Sequence, residues 1–188
     1  MVSPVQMQSF DLVESHFSAN PAYQPAEGGV TLQPIFYVRG QLISPESLPE
    51  PSEGETIVQV DLSTERISRS ESEGGTEQFD IFLYVGINTV SEAVQDTMPY
   101  QIETVTLGRF SANDVPPASE EEDRSRVLDI IRVNGASMLY GGLRRVIQRL
   151  TTSHRYPFLL LPGINLREVV EWEKAHDAEG PLPAPDSS

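Results

Sequence analysis

The apolar pattern predicts an α+β chain: an antiparallel β-meander followed by one long and one short helix. Three observations predict it. From residue 57 to 110 apolar residues recur with period two, the spacing of half-buried strands. From 127 to 150 the period becomes 3.6. Asn165 followed by Glu168 then gives the start signal of a second, shorter helix. At 188 residues the chain is one domain, or one domain with tails.

The elements follow in order. Residues 5–17 hold Val5, Met7, Phe10, Leu12, Val13 and Phe17. They read as a first strand whose phase changes near Ser9, where a bulge fits. Residues 18–55 are rich in Pro and Gly and carry two short apolar runs, Val30–Leu32 and Ile35–Val38. They predict a connection with one or two edge strands, because Pro34 lacks the donor that a central strand needs. Residues 45–55, PESLPEPSEGE, form an acidic linker. Val58, Val60 and Leu62 alternate with Gln59 and Asp61 as the second strand, and residues 68–77 read as a solvated connection. The clearest strand runs from Phe79 to Ile87, with Phe79, Ile81, Leu83, Val85 and Ile87 on one face. Its other face carries Phe82 and Tyr84, unusually aromatic for a solvent side. Tyr100 to Phe110 is the fourth strand.

The long helix shows Val127, Ile130, Ile131, Met138, Leu139, Leu143, Val146, Ile147 and Leu150 on one stripe. The acidic run 120–123 precedes it, and Arg144, Arg145, Arg149, His154 and Arg155 cluster toward its end, the polarity that the helix dipole favours. Gly135, Gly141 and Gly142 weaken helix propensity but permit close approach of a helix or a sheet. The last helix spans Leu166 to about Ala175. From His176 the Pro- and Ser-rich chain reads as a disordered tail.

Composition narrows the function classes. The formal net charge is -15, a field that repels phosphate backbones and argues against nucleic-acid binding. There is no Cys, which excludes disulfides, thiolate metal sites and Cys nucleophiles and fits a cytoplasmic protein. The first residues lack the charged and apolar regions of a signal peptide, and no apolar run approaches the ~20 residues of a membrane span. His16, His154 and His176 fall on three different elements and share no metal-ligand spacing. No phosphate loop or nucleophile elbow occurs, so the chain reads as a binding protein without cofactor, metal or catalytic residues. The face of Val58, Val60 and Leu62 and the aromatic face of Phe82 and Tyr84 leave two readings open. Either they are buried by helices or another subunit, or they form a groove for extended or amphipathic segments.

Residues 137–172 carry a family resemblance. The order of a long helix, a Thr-containing turn, the run Tyr156-Pro157-Phe158-Leu159-Leu160-Leu161-Pro162-Gly163-Ile164-Asn165 and a short closing helix resembles the end of SecB-type export chaperones. YQIETVTLGRF (100–110), VQVDLST (58–64) and VQMQSFDLVESHFSAN (5–20) resemble three strands of that family. The resemblance implies a four-stranded antiparallel sheet with both helices on one face, over residues 1–175, assembled as a homotetramer, a dimer of dimers. It implies an ATP-independent holdase that binds unfolded clients in hydrophobic grooves. The matching groove positions are Val58, Val60 and Leu62 on the second strand, with Leu166, Val169 and Val170 on the last helix. Glu14 and Glu103 match acidic positions of the patch that docks the translocation ATPase SecA, while Ser18 and Gln101 depart from it. The long 18–55 connection is closer to the SecB-like chaperones of toxin–antitoxin modules, so the expected client is a preprotein or an antitoxin. The alternative is an assembly protein that uses the same fold only to oligomerise.

Overall fold

A computed structural model describes the backbone of residues 5–24, 30–38, 41–43, 56–71, 76–89 and 98–177, with side chains described for 5–24, 64–67, 76–87, 98–171 and 173–175. Along the chain come β1 (Gln6–Ala19), β2 (Val30–Val38), β3 (Gln41–Ile43), β4 (Thr56–Glu71), β5 (Thr76–Thr89), β6 (Tyr100–Asn113), α1 (Glu121–Thr152) and α2 (Leu166–Asp177). The sheet has the order β1-β6-β5-β4-β2-β3.

The meander β4-β5-β6 and the returning β1 are antiparallel throughout, as the sequence predicts. The 18–55 segment widens this four-stranded sheet. β2 lies parallel on the free edge of β4, and β3 folds back against β2. Pro34 sits within β2, opposite Val60. The expected phase change near Ser9 appears as a register shift between Met7 and Ser9, and a second shift skips Val13. β4 is longer than its sequence suggests. It runs through residues expected to be a loop, because pairing with β5 recruits polar residues that have little strand preference of their own. The tail expected from His176 yields two residues to α2 and otherwise lies outside the described residues.

The core forms on one face of the sheet. The period-two residues of β5 (Phe79, Ile81, Leu83, Val85, Ile87) and of β6 (Tyr100, Ile102, Phe110) are buried with Ile131, Leu139, Leu143 and Ile147 of α1 and with Leu166 and Val169 of α2. Close approach of α1 needs residues without side chains. A Cβ at Gly135 would lie 2.2 Å from Ile81 Cδ1, and one at Gly108 2.8 Å from Leu139 Cδ2 of α1. Gly141, by contrast, faces open space. At the start of α1, Arg124 forks onto the buried Glu77 of β5 at 2.7 and 2.8 Å and reaches Pro116 O at 2.6 Å. Phe82 and Tyr84 lie on the opposite face, half-buried beside their cross-strand partners Leu107 and Val105.

Gly135→Leu forces Ile81 to move inside a packed core and should lower the unfolding free energy by about 1–3 kcal/mol. Gly141→Ala should be neutral or stabilising by up to about 1 kcal/mol. Urea denaturation of the two variants checks this, and equal midpoints would contradict the close approach.

Candidate functional site

The chain between the helices is held by a few polar anchors. Thr151, fully buried, donates from Oγ1 to Ile147 O at 2.9 Å and accepts the Leu159 N–H at 2.9 Å. The Tyr100 hydroxyl lies 3.2 Å from Thr151 O and 3.3 Å from Tyr156 O. Tyr140 donates to Pro162 O at 2.9 Å, and burial pushes its phenol up to about 12. These anchors turn the run 158–161 into an alternating ridge. Leu159 and Leu161 point inward, while Phe158 is 60% and Leu160 48% exposed.

His154 at the helix end packs its ring 5.4 Å from Phe17 and 5.9 Å from Tyr100. Its neighbours are aromatic, in keeping with a packing role. Among the described residues no group of three or more side chains could hold a metal ion, and no helix is long and apolar enough to cross a membrane.

The Asn165 start signal works as its residue type suggests. Its side-chain oxygen accepts the Arg167 N–H at 3.2 Å, and its amide donates to Glu168 at 2.8 Å. Seven residues along α2 from Leu166, on the same apolar stripe as Val169 and Val170, stands Glu173, only 4% exposed. Its carboxylate accepts the backbone N–H of Thr64 at 2.6 Å and the Thr64 hydroxyl at 2.7 Å. Arg132 of α1 completes the cluster. It meets Glu173 at 2.5 Å and the Thr64 hydroxyl oxygen at 2.9 Å, and it also donates to Thr64 O. The pairing of β2 with β4 ends at Leu62, so these two side chains satisfy the β4 edge just beyond the last strand pair. α1, α2 and the sheet edge are thereby tied at one residue. Sequence reasoning missed this cluster. Its one visible signal is an acidic residue on the apolar stripe of α2.

On the other side of α2, a cleft of about 650 Å³ opens between the helices. Ile130, Val133 and Val170 form its apolar wall. Asp129 and Lys174, which form an ion pair across the cleft, contribute to its charged rim with Arg126 and Arg167. Ile130 is 44% exposed.

The sequence-derived groove residues divide. Val170 borders the cleft but is itself only 2% exposed, so it forms the cleft's floor more than an open surface. Leu166 and Val169, 4% and 0% exposed, point into the core and hold α2 in place, because the stripe that anchors a short helix must face the sheet. Val58, Val60 and Leu62 stand in β4 opposite Thr89, Ile87 and Val85, and their side chains lie outside the described residues. Glu14 and Glu103 are exposed on the sheet face away from the helices. Glu14 stands opposite Val105, and Glu103 opposite His16, so the two acids are diagonal neighbours.

No family model matches the chain. Over 162 residues it is 28% identical to the protein-export protein SecB of Anaplasma phagocytophilum (strain HZ), spanning 79% of this chain and 99% of that protein. Among solved structures it is similar to the SecB-like chaperone Rv1957 of Mycobacterium tuberculosis, in complex with a ChAD peptide from the Rv1956 HigA1 antitoxin. That likeness has a TM-score of 0.47 at 16% identity, over 85% of this chain and 90% of that one. A Streptococcus agalactiae protein of unknown function gives 0.46 at 12% identity, over 86% and 98%.

Glu173→Ala strands the Arg132 charge and the Thr64 N–H, and should cost about 3–5 kcal/mol in denaturant unfolding. Replacing the pair together, Arg132→Met with Glu173→Leu, should recover much of that loss. A single variant as stable as the parent would show that the cluster does not hold α2. Tyr140 ionises near 10 when unfolded and near 12 when folded. Its contribution is therefore complete below pH 10 and is lost as pH rises toward 12. Tyr140→Phe should flatten that decline in a pH series of unfolding midpoints.

Proposed function

We propose that the chain is a member of the SecB-type chaperones, one that captures non-native polypeptide by apolar burial without nucleotide or cofactor. The match to SecB across nearly all of that protein's length carries the reading. It is supported by the antiparallel β1-β6-β5-β4 part of the sheet with two helices on one face and by an open apolar cleft rimmed with charge. A binding surface rather than a catalytic centre is what such features supply. Apolar burial is tolerant of sequence, which suits clients recognised only as unfolded. At roughly 25 cal/mol per Å², even ~400 Å² of apolar client contact offers about 10 kcal/mol before ordering costs.

In this reading the client surface joins the β4 positions Val58, Val60 and Leu62 to the cleft wall at Ile130, Val133 and Val170. The exposed Phe158 and Leu160 extend it. Leu166 and Val169 set the position of the helix that forms one wall. The working form is a cytoplasmic dimer of dimers, the client a preprotein or an antitoxin. Glu14 and Glu103 supply an acidic face for SecA.

The half-buried Phe82, Tyr84, Val105 and Leu107 on the outer face favour a second reading, an assembly protein whose sheet is covered by another subunit. Light scattering of a chemically denatured model protein, diluted with and without the chain, separates the two. A holdase delays aggregation at near-stoichiometric ratios, and Ile130→Asp, a change at an exposed site, should weaken that protection about tenfold. A stable oligomer that protects no client would favour the assembly reading, and full protection by Ile130→Asp would remove the cleft from the client surface.

A further inference from the structure

β2 is attached to the sheet differently from every other strand. The remaining ladders are antiparallel, whereas β2 runs parallel to β4 from Val30↔Thr56 to Phe36↔Leu62. Parallel pairing is slightly the weaker per residue. Pro34 stands inside this ladder with no N–H to give. On its far side β2 meets β3 only over Phe36, Tyr37 and Val38.

The sequence of this strand is also unlike its surroundings. The stretch VTLQPIFYVRGQLI (30–43) carries a single charge, Arg39, in a chain of formal net charge -15. An extended apolar segment of that composition is what a holdase meets in an unfolded client. α2 packs against both β2 and β4, so the β2–β4 ladder lies under the helix that borders the cleft. The Arg132–Thr64–Glu173 cluster seals β4 immediately past Leu62, which limits the edge that any strand can use to Thr56–Leu62.

We propose that β2 is an internal occupant of the client site. Extended apolar segments of non-native proteins replace it on the Thr56–Leu62 edge of β4 by parallel strand addition, and the chain keeps the edge covered when no client is present. An incoming extended strand brings the same backbone groups to the β4 edge, so the exchange starts with little penalty. The partner is therefore an uncharged, extended peptide of about the length of the Val30–Phe36 ladder. This rests on the chaperone reading above.

The absence of Cys allows a direct test. Gln33 and Gln59 are register partners. In the full chain, Gln33→Cys with Gln59→Cys is oxidised to lock β2 on β4. Binding of a fluorescent, permanently unfolded, carboxymethylated model protein is then measured in the oxidised and reduced forms. The proposal expects the reduced form to bind like the parent and the oxidised form at least tenfold more weakly. Equal binding by the two forms overturns it while leaving the chaperone reading intact. No binding by the parent either overturns both. A second variant does not depend on the crosslink. Ile35→Gly with Phe36→Gly lowers the strand preference of β2 and should tighten client binding about threefold or more, whereas unchanged or weaker binding overturns the proposal.

Discussion

The separation between α1 and the sheet is set at Gly135 and Gly108, where any side chain would strike Ile81, Phe110 or Leu139. Because the helix comes this close, Ile131, Leu139 and Leu143 reach the residues of β5 and β6 and are wholly buried with them. The same approach brings Arg132 of α1 within hydrogen-bonding range of Thr64, on a strand that a more distant helix could not reach. α2 is then positioned twice: by Leu166 and Val169 in the core, and by Glu173 at the sheet edge. The cleft beside Val170 is the space left over once those two conditions are met.

The polar cluster has a logic distinct from that of the core. Apolar burial is indifferent to small rotations of a helix, whereas a carboxylate that must meet a backbone N–H, a hydroxyl and a guanidinium fits one placement. Buried ion pairs of this kind add little net stability compared with a well-packed apolar substitute, but they penalise misplacement heavily. For a helix that borders an open cleft, a defined position matters more than additional stability. The Arg124–Glu77 pair gives the start of α1 the same definition.

The parts that could be read from sequence are those governed by local periodicity. The alternation in 79–87 and 100–110, the helix over 127–150, the bulge near Ser9 and the Asn165 cap all depend on neighbours within one element, and each is found in place, although Ile130, Met138 and Leu150 of the helical stripe face solvent. What could not be read depends on residues distant in sequence. Ser68 to Glu71 join β4 only because β5 offers a partner. The parallel docking of β2 has no local signal, since a short apolar run with a Pro fits a loop equally well. Thr64, Arg132 and Glu173 are ordinary polar residues until the fold brings them together, with only Glu173 out of keeping with its stripe. Of the candidate site, periodicity marked α2 as apolar but did not single out Ile130 and Val133 of α1, which line the cleft with Val170. Which of its residues face outward was decided by the sheet beneath it.

The pairing of β1 with β6 joins Gln6 to Ser111. Synthesis runs from the N-terminus, so the strand made first waits for the strand made last in the sheet. During that interval β1, with Met7, Phe10, Leu12, Val13 and Phe17, leaves the ribosome without its partner, while β4, β5 and β6 can form successive hairpins as they emerge. The nascent chain thus passes through a stage in which it is itself an unfolded apolar polypeptide, and any delay in completing β6 lengthens the time that β1 stands open to other chains.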